Sequence, residues 1–423
     1  MAPVRPSIVG RWSSLLLAGG LVLALLGGWW AKASCITDGH WDDGEQYSHA
    51  CYTDYVALWH GRGLKDGKVP YLDEPVEYPV VQGAVMWLTA VAVRAAPGTA
   101  TARNYVDANA SLTVALLVVA LVLLRRTGVV LPARVWWAGL PVVALTAFIN
   151  WDAVPVVLTA AAILLHQRGR DGWSGMFVGL GTAAKLYPGF LLPLIVAERV
   201  RQGRARGAAV HVLAAGATWL VLNVPVAMIA PHNWNRFLEL NRERERHVDS
   251  LWYALDWLGG PALRGTRLNV AASGLFLMGV IVIVVVGARG RATQAPLWPL
   301  MTPVLIWFLL TNKVYSPQYS LWLVALLIVT LQRAGPFVAF AVADVAVNLT
   351  EFAVLGGRAG FDPAPSEGWL VLTTVIRAAV LLWIAGTVLR DASLRLGERS
   401  HRGAEDDVRR DRVTGAVVTT PVA

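Results

Sequence analysis

Long apolar runs, each closed by a short polar or basic cluster, recur from residue 13 to residue 390. A helix needs about 18 to 20 apolar residues to cross a hydrocarbon core. Runs near that length fall at 13–31, 79–96, 104–124, 129–149, 207–230, 268–287, 295–312, 317–332, 336–355 and 369–389. A further run at 153–166 is shorter, and one at 173–200 is broken at Lys185-Leu186-Tyr187-Pro188. Each of its halves is about 13 residues, too short to span alone, and broken helices are tolerated in a membrane where they line a cavity. Leucine, valine and alanine fill whole windows with no period of two, which excludes the alternating strands of a transmembrane barrel. The pattern predicts an all-α integral membrane protein, a polytopic bundle of about 11–12 transmembrane helices. It forms one membrane domain over 1–390, with a large first external loop at 32–78 and a charged, disordered tail at 391–423.

Composition sharpens this picture. Of 423 residues, 56% are hydrophobic and only 15% charged, against about 25% charged in soluble domains, so an ordinary soluble enzyme is excluded. A net charge of +9 would suit a nucleic-acid binder, but the basic residues sit in clusters between apolar runs. Arg168-Gly169-Arg170, Arg199 to Arg206, Arg289-Gly290-Arg291 and the residues from Arg390 onward follow the positive-inside pattern of cytoplasmic ends. No nucleic acid is expected as a partner. Arg5 and Arg11 place the N-terminus, like the tail, on the cytoplasmic side of a plasma membrane, with the first loop external. Ala31-Lys32-Ala33 resembles a signal-peptide cleavage site. The run before it, however, is longer than a usual signal core and ends in Trp29-Trp30, as interfacial anchors do, which predicts a retained first helix. One conflict remains. Counting forward puts Arg125-Arg126 outside, while counting back from the tail puts Asn150-Trp151-Asp152 outside. One segment between Pro79 and Asn150 must therefore be short, re-entrant or misassigned.

Candidate chemistry concentrates in the first loop. Cys35 and Cys51 both fall there, where an external compartment permits a disulfide; closing a loop of about 15 residues is worth about 3 kcal/mol in the chain-entropy model. Two free thiols are the alternative. Of the many acids and histidines in the loop, most belong to a solvated surface. Asp54 differs, because Cys51-Tyr52-Thr53-Asp54-Tyr55 leads into an apolar stretch that reads as a short amphipathic helix on the membrane surface. A carboxylate at the mouth of the bundle can take a proton from a sugar hydroxyl; the plainer use is a helix N-cap. His40, Asp42, Asp43 and His49 offer metal-ligand side chains, but no H-x-x-x-H or H-E-x-x-H spacing occurs, so neither a metal nor another cofactor is expected.

Beyond the loop, Asn150, Asp152, Lys185, Tyr187, Asn312, Lys313, Tyr315 and Gln318 lie near predicted external helix ends. Such groups can hold a lipid phosphate or simply snorkel to the interface. Asp344, Asn348 and Glu351 recur at helical spacing in one apolar run, with Arg377 in the next. Intramembrane charges are functional candidates by default, although pairing with Arg377 to lock the last two helices accounts for them equally well. The alternating run from Arg242 to His247 reads as a solvated helix face, with anionic headgroup binding by its arginines as the alternative.

Taken in order, these segments resemble the integral-membrane proteins of glycosyltransferase family 87, actinobacterial enzymes of the GT-C class that include polyprenol-phosphate-mannose-dependent mannosyltransferases. The resemblance rests on Cys51-Tyr52-Thr53-Asp54 followed by Gly61-Arg62-Gly63-Leu64, then Val69-Pro70-Tyr71-Leu72 and Val76-Glu77-Tyr78-Pro79. It continues through Asn150-Trp151-Asp152, the stretch from Gly179 to Pro188, Ser250-Leu251-Trp252-Tyr253 and Tyr315-Ser316-Pro317-Gln318-Tyr319. It implies a sugar donor linked to polyprenol phosphate, a glycolipid or glycan acceptor attacking from the external side of the bilayer, and inversion at the anomeric carbon. The family's catalytic aspartate maps to Asp54. Lys185, Tyr187 and the 313–318 stretch with Lys313, Tyr315 and Gln318 would lie near the donor phosphate, with Glu77, Tyr78 and Asp152 in the substrate site. Characterised mannosyltransferases carry Asp-aliphatic-x-x-Tyr, whereas Asp54 here precedes Tyr55-Val56-Ala57-Leu58, a departure that bears on the sugar. Two other readings fit the sequence: a transporter or flippase of lipid-linked sugars, which would use midplane charges on broken helices, and a non-catalytic scaffold for envelope assembly.

Overall fold

The computed structural model describes residues 8–37, 41, 44–95, 97–98, 100–128, 131–289 and 293–414, with the backbone alone for 8–18, 133–134 and 391–414. Asp38, His40, Asp42 and Asp43 of the first loop lie outside the described residues. The first apolar run forms α1 (Ile8–Thr37), and the loop after it carries the short α2 (Glu45–Ser48) and α3 (Asp54–Gly61). Next come α4 (Val80–Arg94), α5 (Ala102–Arg126), the pieces α6 (Ala133–Trp136) and α7 (Leu140–Thr146), and α8 (Ala153–Gln167). The expected break separates α9 (Asp171–Ala184) from α10 (Leu191–Arg201), and α11 (Ala205–Ile229) leads to α12 (Pro231–Glu243), α13 (Leu251–Trp257) and α14 (Gly265–Arg289). The chain closes with α15 (Met301–Thr311), α16 (Ser320–Thr330), α17 (Ala334–Arg358) and α18 (Glu367–Thr414). Among the described residues there is no strand, and six helices, α1, α5, α11, α14, α17 and α18, are long and apolar enough to cross a membrane. The protein is all-α and polytopic. Residues 391–414, read from composition as disordered, continue the last helix.

Long and short helices occupy different layers. On α8, α15 and α16 nearly every residue is buried, the signature of helices surrounded by protein. The long α11 and α14 leave most of their apolar side chains exposed, as lipid-facing helices do. The inner helices have only 15, 11 and 11 residues, or roughly 17–22 Å at 1.5 Å per residue, short of a hydrocarbon core of about 30 Å. Their ends stop below the loop-bearing face, and the space above them becomes a recess. Where α9 meets α11 the backbones touch: a Cβ on Gly175 or Gly179 would come within 2.2 or 2.3 Å of a carbonyl oxygen of α11. Small residues spaced by four produce such close approach in membrane helices.

The counting conflict is resolved at α4. Near its start Gln82 Nε2 donates to Asp152 Oδ1 at 3.3 Å. In its middle the Met86 carbonyl accepts from Tyr105 Oη of the first turn of α5. At its end Arg94 packs against Gly67 of the first loop. Both ends of α4 therefore lie at the loop face, and the helix runs along that face instead of crossing. Arg125 and Arg126 at the far end of α5 then fall on the opposite face, with the other basic clusters. At that opposite face a buried latch joins α8, α9 and α10: His166 Nε2 and Glu198 Oε1 are 2.8 Å apart, Arg199 pairs with Asp171 at 2.6 Å, and Glu198 Oε2 accepts the Leu297 amide. At the loop face Cys35 and Cys51 are bonded, with Cα atoms 5.9 Å apart, and Lys32 Nζ donates to the Ala50 carbonyl at 3.0 Å. Together they tie the segment leading into α3 to the end of α1.

Because both native cysteines are bonded, cysteines introduced at the exposed Lys65 and Arg126 are the only expected targets of a membrane-impermeant maleimide. Lys65→Cys and Arg126→Cys should label from opposite sides of the membrane. Labelling from the same side would mean that α4 crosses.

Candidate active site

The recess is a cavity of about 540 Å³. Tyr52, Asp54 and Tyr78 of the first loop form one stretch of its wall, while Ile149, Lys185, Gln318 and Tyr319, from the ends of inner helices, form the floor. Arg244, Arg246 and His247, which follow α12, and Glu351 of α17 complete it.

The cap of α3 sets the aim of Asp54. Thr53, in extended backbone, accepts the Tyr55 amide on its hydroxyl, which is the N-cap contact. Asp54, one residue later, is thereby left free of capping, and a carboxylate in a first helical turn is favoured by the helix dipole. The helix is seated on the Ile149-Asn150 turn: the Asp54 amide donates to the Ile149 carbonyl at 2.7 Å, and Tyr55 Oη donates to the Asn150 carbonyl at 2.8 Å. The Asp54 carboxylate accepts from Tyr52 Oη at 2.7 Å on one oxygen and from Tyr78 Oη on the other. Asn150 Nδ2 in turn donates to Tyr78 Oη at 3.1 Å, and Tyr71 Oη holds the Tyr78 carbonyl at 2.8 Å. Burial holds the Asp54 carboxyl above the ordinary carboxylate value, and the two tyrosine hydroxyls and Lys185 draw it partly back. Burial and the Asp54 charge push Tyr78 well above the usual phenol value, so it stays a donor. The group can accept a proton from a neutral substrate without being locked by an ion pair.

The floor is built differently. Lys185 ends α9 in extended backbone, and its ammonium meets Asp152 Oδ1 at 2.9 Å. The rings of Tyr78, Tyr319 and Trp322 surround it at 5.0, 5.3 and 5.5 Å. Asp152, only 1% exposed, also accepts from Gln82 and from Trp322 Nε1 at 3.1 Å. It lies beneath the cavity and neutralises the lysine.

Of the residues singled out from sequence, Asp54, Glu77, Tyr78, Lys185 and Gln318 line the cavity; Glu77 is paired there with Arg62. Three residues expected near a donor phosphate are engaged elsewhere. Tyr187 is buried in a stack on Trp322, with ring centres 4.4 Å apart. Tyr315 lies under the Arg377 guanidinium at 3.7 Å. Lys313 Nζ donates to the carbonyls of Asn241 and Arg242 and to Asn269 Oδ1, the role of a lysine at a helix C-terminus, so it fixes the end of α12. The Arg242–His247 run, expected as a solvated helix face, leaves the helix after Glu243 and carries Arg244, Arg246 and His247 onto the cavity wall. Its alternating charge was the available signal, and it did not distinguish wall from solvent. Asp344 and Arg377 pair across α17 and α18 at 3.5 Å, and Arg377 also reaches Asp249 at 3.4 Å: the lock expected from sequence, with a third partner. His247 Nδ1 stands 2.7 Å from Asp249 Oδ1. Burial alone would lower its pKa, but Asp249 and Glu351 raise it to about 9.

These features define a polytopic membrane protein whose reactive groups gather in one recess at one face of its helix bundle. The sequence profile of glycosyltransferase family 87 matches residues 78–317, more than half of the chain, and the chain belongs to that family: it is a membrane glycosyltransferase. The match takes in Tyr78, Asp152, Lys185 and the 244–247 wall, and Asp54 precedes it. Neither curated proteins nor solved structures yield a match.

Removing one partner of a buried ion pair typically costs about 3–5 kcal/mol. Lys185→Met should therefore lower the thermal unfolding temperature markedly in detergent, and adding Asp152→Asn should restore most of the loss. An unchanged single variant would show that the floor does not depend on this pair.

Proposed function

We propose that this glycosyltransferase moves a sugar, mannose first among the candidates, from a polyprenol-phosphate donor to a hydroxyl of a cell-envelope glycolipid or polysaccharide. The reaction is assigned to the external face of the plasma membrane, with both chain ends cytoplasmic. Support for that orientation comes from the basic clusters at the face opposite the cavity. The observation that carries the reading is the Asp54 carboxylate, held by two tyrosine hydroxyls on the wall of the cavity.

In this mechanism Asp54 takes the proton of the acceptor hydroxyl as its oxygen attacks the anomeric carbon. The bond from that carbon to the phosphate oxygen breaks on the far side, polyprenyl phosphate leaves with the electron pair, and configuration inverts. Polyprenyl phosphate, released from the phosphodiester linkage of the donor, is already a good leaving group, so base, charge stabilisation and alignment are what the protein must supply. A retaining route would need a second carboxylate about 5 Å from the first, placed as nucleophile. Arg244 and Arg246 fit the phosphate. The Arg246 side chain is 8% exposed and its Nη2 is paired with Asp256, which leaves Nε and Nη1, without a partner, to donate to phosphate oxygens. Lys185 adds positive charge from the floor.

The test is transfer from radiolabelled polyprenol-phosphate-mannose and polyprenol-phosphate-arabinose into envelope glycolipids by purified protein in lipid. Asp54→Asn should lose about 10²–10⁴-fold or more in rate, the usual contribution of a general base; wild-type transfer by this variant would sink the assignment. Tyr78→Phe supplies a second, graded test. Its hydroxyl stabilises the ionised carboxylate, so losing it raises the Asp54 pKa further. The acid limb of the kcat/KM profile should move to higher pH. A limb that stays in place would mean that a group other than Asp54 sets it.

A further inference from the structure

Beside the cavity, three side chains from two distant parts of the chain converge without a function in the transfer described above. His247 follows α12, Asp249 lies two residues on, and Glu351 comes from α17. One ligand atom from each lies within 4.8 Å of the others; His247 Nδ1 is 2.7 Å from Asp249 Oδ1 and 3.6 Å from Glu351 Oε1. In an octahedral shell with bonds of about 2.1 Å, neighbouring donors are about 3 Å apart and opposite donors about 4.2 Å, so these separations suit one small cation.

A further observation points to a ligand. Glu351 is 2% exposed, and its Oε2 has no partner although the residue lines the cavity. A buried carboxylate oxygen with no donor is costly. A divalent cation held by His247, Asp249 and Glu351 would give Glu351 Oε2 its missing partner.

We infer that His247, Asp249 and Glu351 form a binding site for a small divalent cation, with cavity water completing its shell. Imidazole with two carboxylates is a donor set for ions of the Mn²⁺, Mg²⁺ and Zn²⁺ kind. Sequence spacing could not reveal it, because Glu351 joins the other two only through packing of α17. A cation there lies on the same wall as Arg244 and Arg246, where it would neutralise charge developing on a departing phosphate. That use rests on the proposed function; the existence of the site does not.

The experiment is Mn²⁺ binding, followed by electron paramagnetic resonance, to the full-length protein purified through chelator and reconstituted in lipid nanodiscs. One Mn²⁺ per chain should bind. Glu351→Gln, which keeps shape and removes one charge, should weaken binding by about 100-fold, the upper range for losing even an outer-shell partner. Asp54→Asn, away from the cluster, should bind as wild type does. No saturable binding up to about 1 mM, the weak end of biological cation sites, or equal binding by wild type and Glu351→Gln, would overturn the inference and leave the cluster as an ion-pair network. Saturable binding alongside transfer that withstands chelator would keep the site and remove its role at the leaving group; loss of transfer in Asp54→Asn is read independently of both.

Discussion

The charge of Lys185, set where α9 stops, is the constraint on which the active face depends. An ammonium at the end of a helix inside a membrane bundle must be matched, and Asp152 with three aromatic rings does this. Meeting that demand fixes several elements at once. α9 has to end at Ala184, α8 has to begin just after Asp152, and α16 has to bring Trp322 to the other carboxylate oxygen. The turn that delivers Asp152 is also the seat of α3, through the Ile149 and Asn150 carbonyls. The position of Asp54 therefore follows from the same pair that neutralises the lysine.

The two carboxylates illustrate how environment divides roles. Asp152 has a full counter-charge and two further donors, which occupy both of its oxygens. Asp54 has only neutral hydroxyl donors and a wall of the cavity for company, so burial raises its affinity for a proton while Tyr52 and Tyr78 keep it within reach of ionisation. A base needs that intermediate condition: a carboxylate locked to a cation accepts a proton poorly, and one with no donors stays protonated. Asn150 and Tyr71 act one step further out, holding Tyr78 in line.

How much of this was legible in the sequence follows from range. Hydropathy revealed the membrane class, the all-α fold and the break at Lys185, because each is written in consecutive residues; the expected spans, about 11–12, become, among the described residues, six helices long enough to cross, with shorter apolar helices between them. It did not reveal that α4 lies along the face. A mostly apolar helix of 15 residues looks the same whether it crosses or not, and only its contacts at both ends decide. The site divided similarly. Lys185 and Gln318 stood out as polar groups at helix ends, where the cavity is, Asp54 as a loop carboxylate leading into a short amphipathic helix, and Tyr78 through the family resemblance. Lys313, Tyr315 and Tyr187 carried the same mark, yet their side chains turn into the protein, a matter of rotamer and packing that spacing does not encode. The Arg242–His247 run was misleading in the opposite direction: its alternation suits a solvated helix, but α12 ends at Glu243, and extended backbone turns the residues after it toward the cavity.

The short inner helices make this arrangement possible in a bilayer. A polar cavity within the hydrocarbon layer would expose backbone and charge to lipid, which is prohibitive. Here α8, α15 and α16 stop early, and the long outer helices continue past them, so the recess sits above apolar packing and inside a ring of protein. The cost is a set of helix ends that must find partners at the same depth. Lys313 takes the last carbonyls of α12, Ser320 at the start of α16 donates to Asp344 at 2.6 Å, and Arg377 holds the Asp249 carbonyl at 3.1 Å. These contacts place the 244–249 segment against α17, which is why the arginines that suit a phosphate and the carboxylates that suit a cation share one wall. Shortening the core thus creates the cavity, and satisfying the exposed ends supplies its charge.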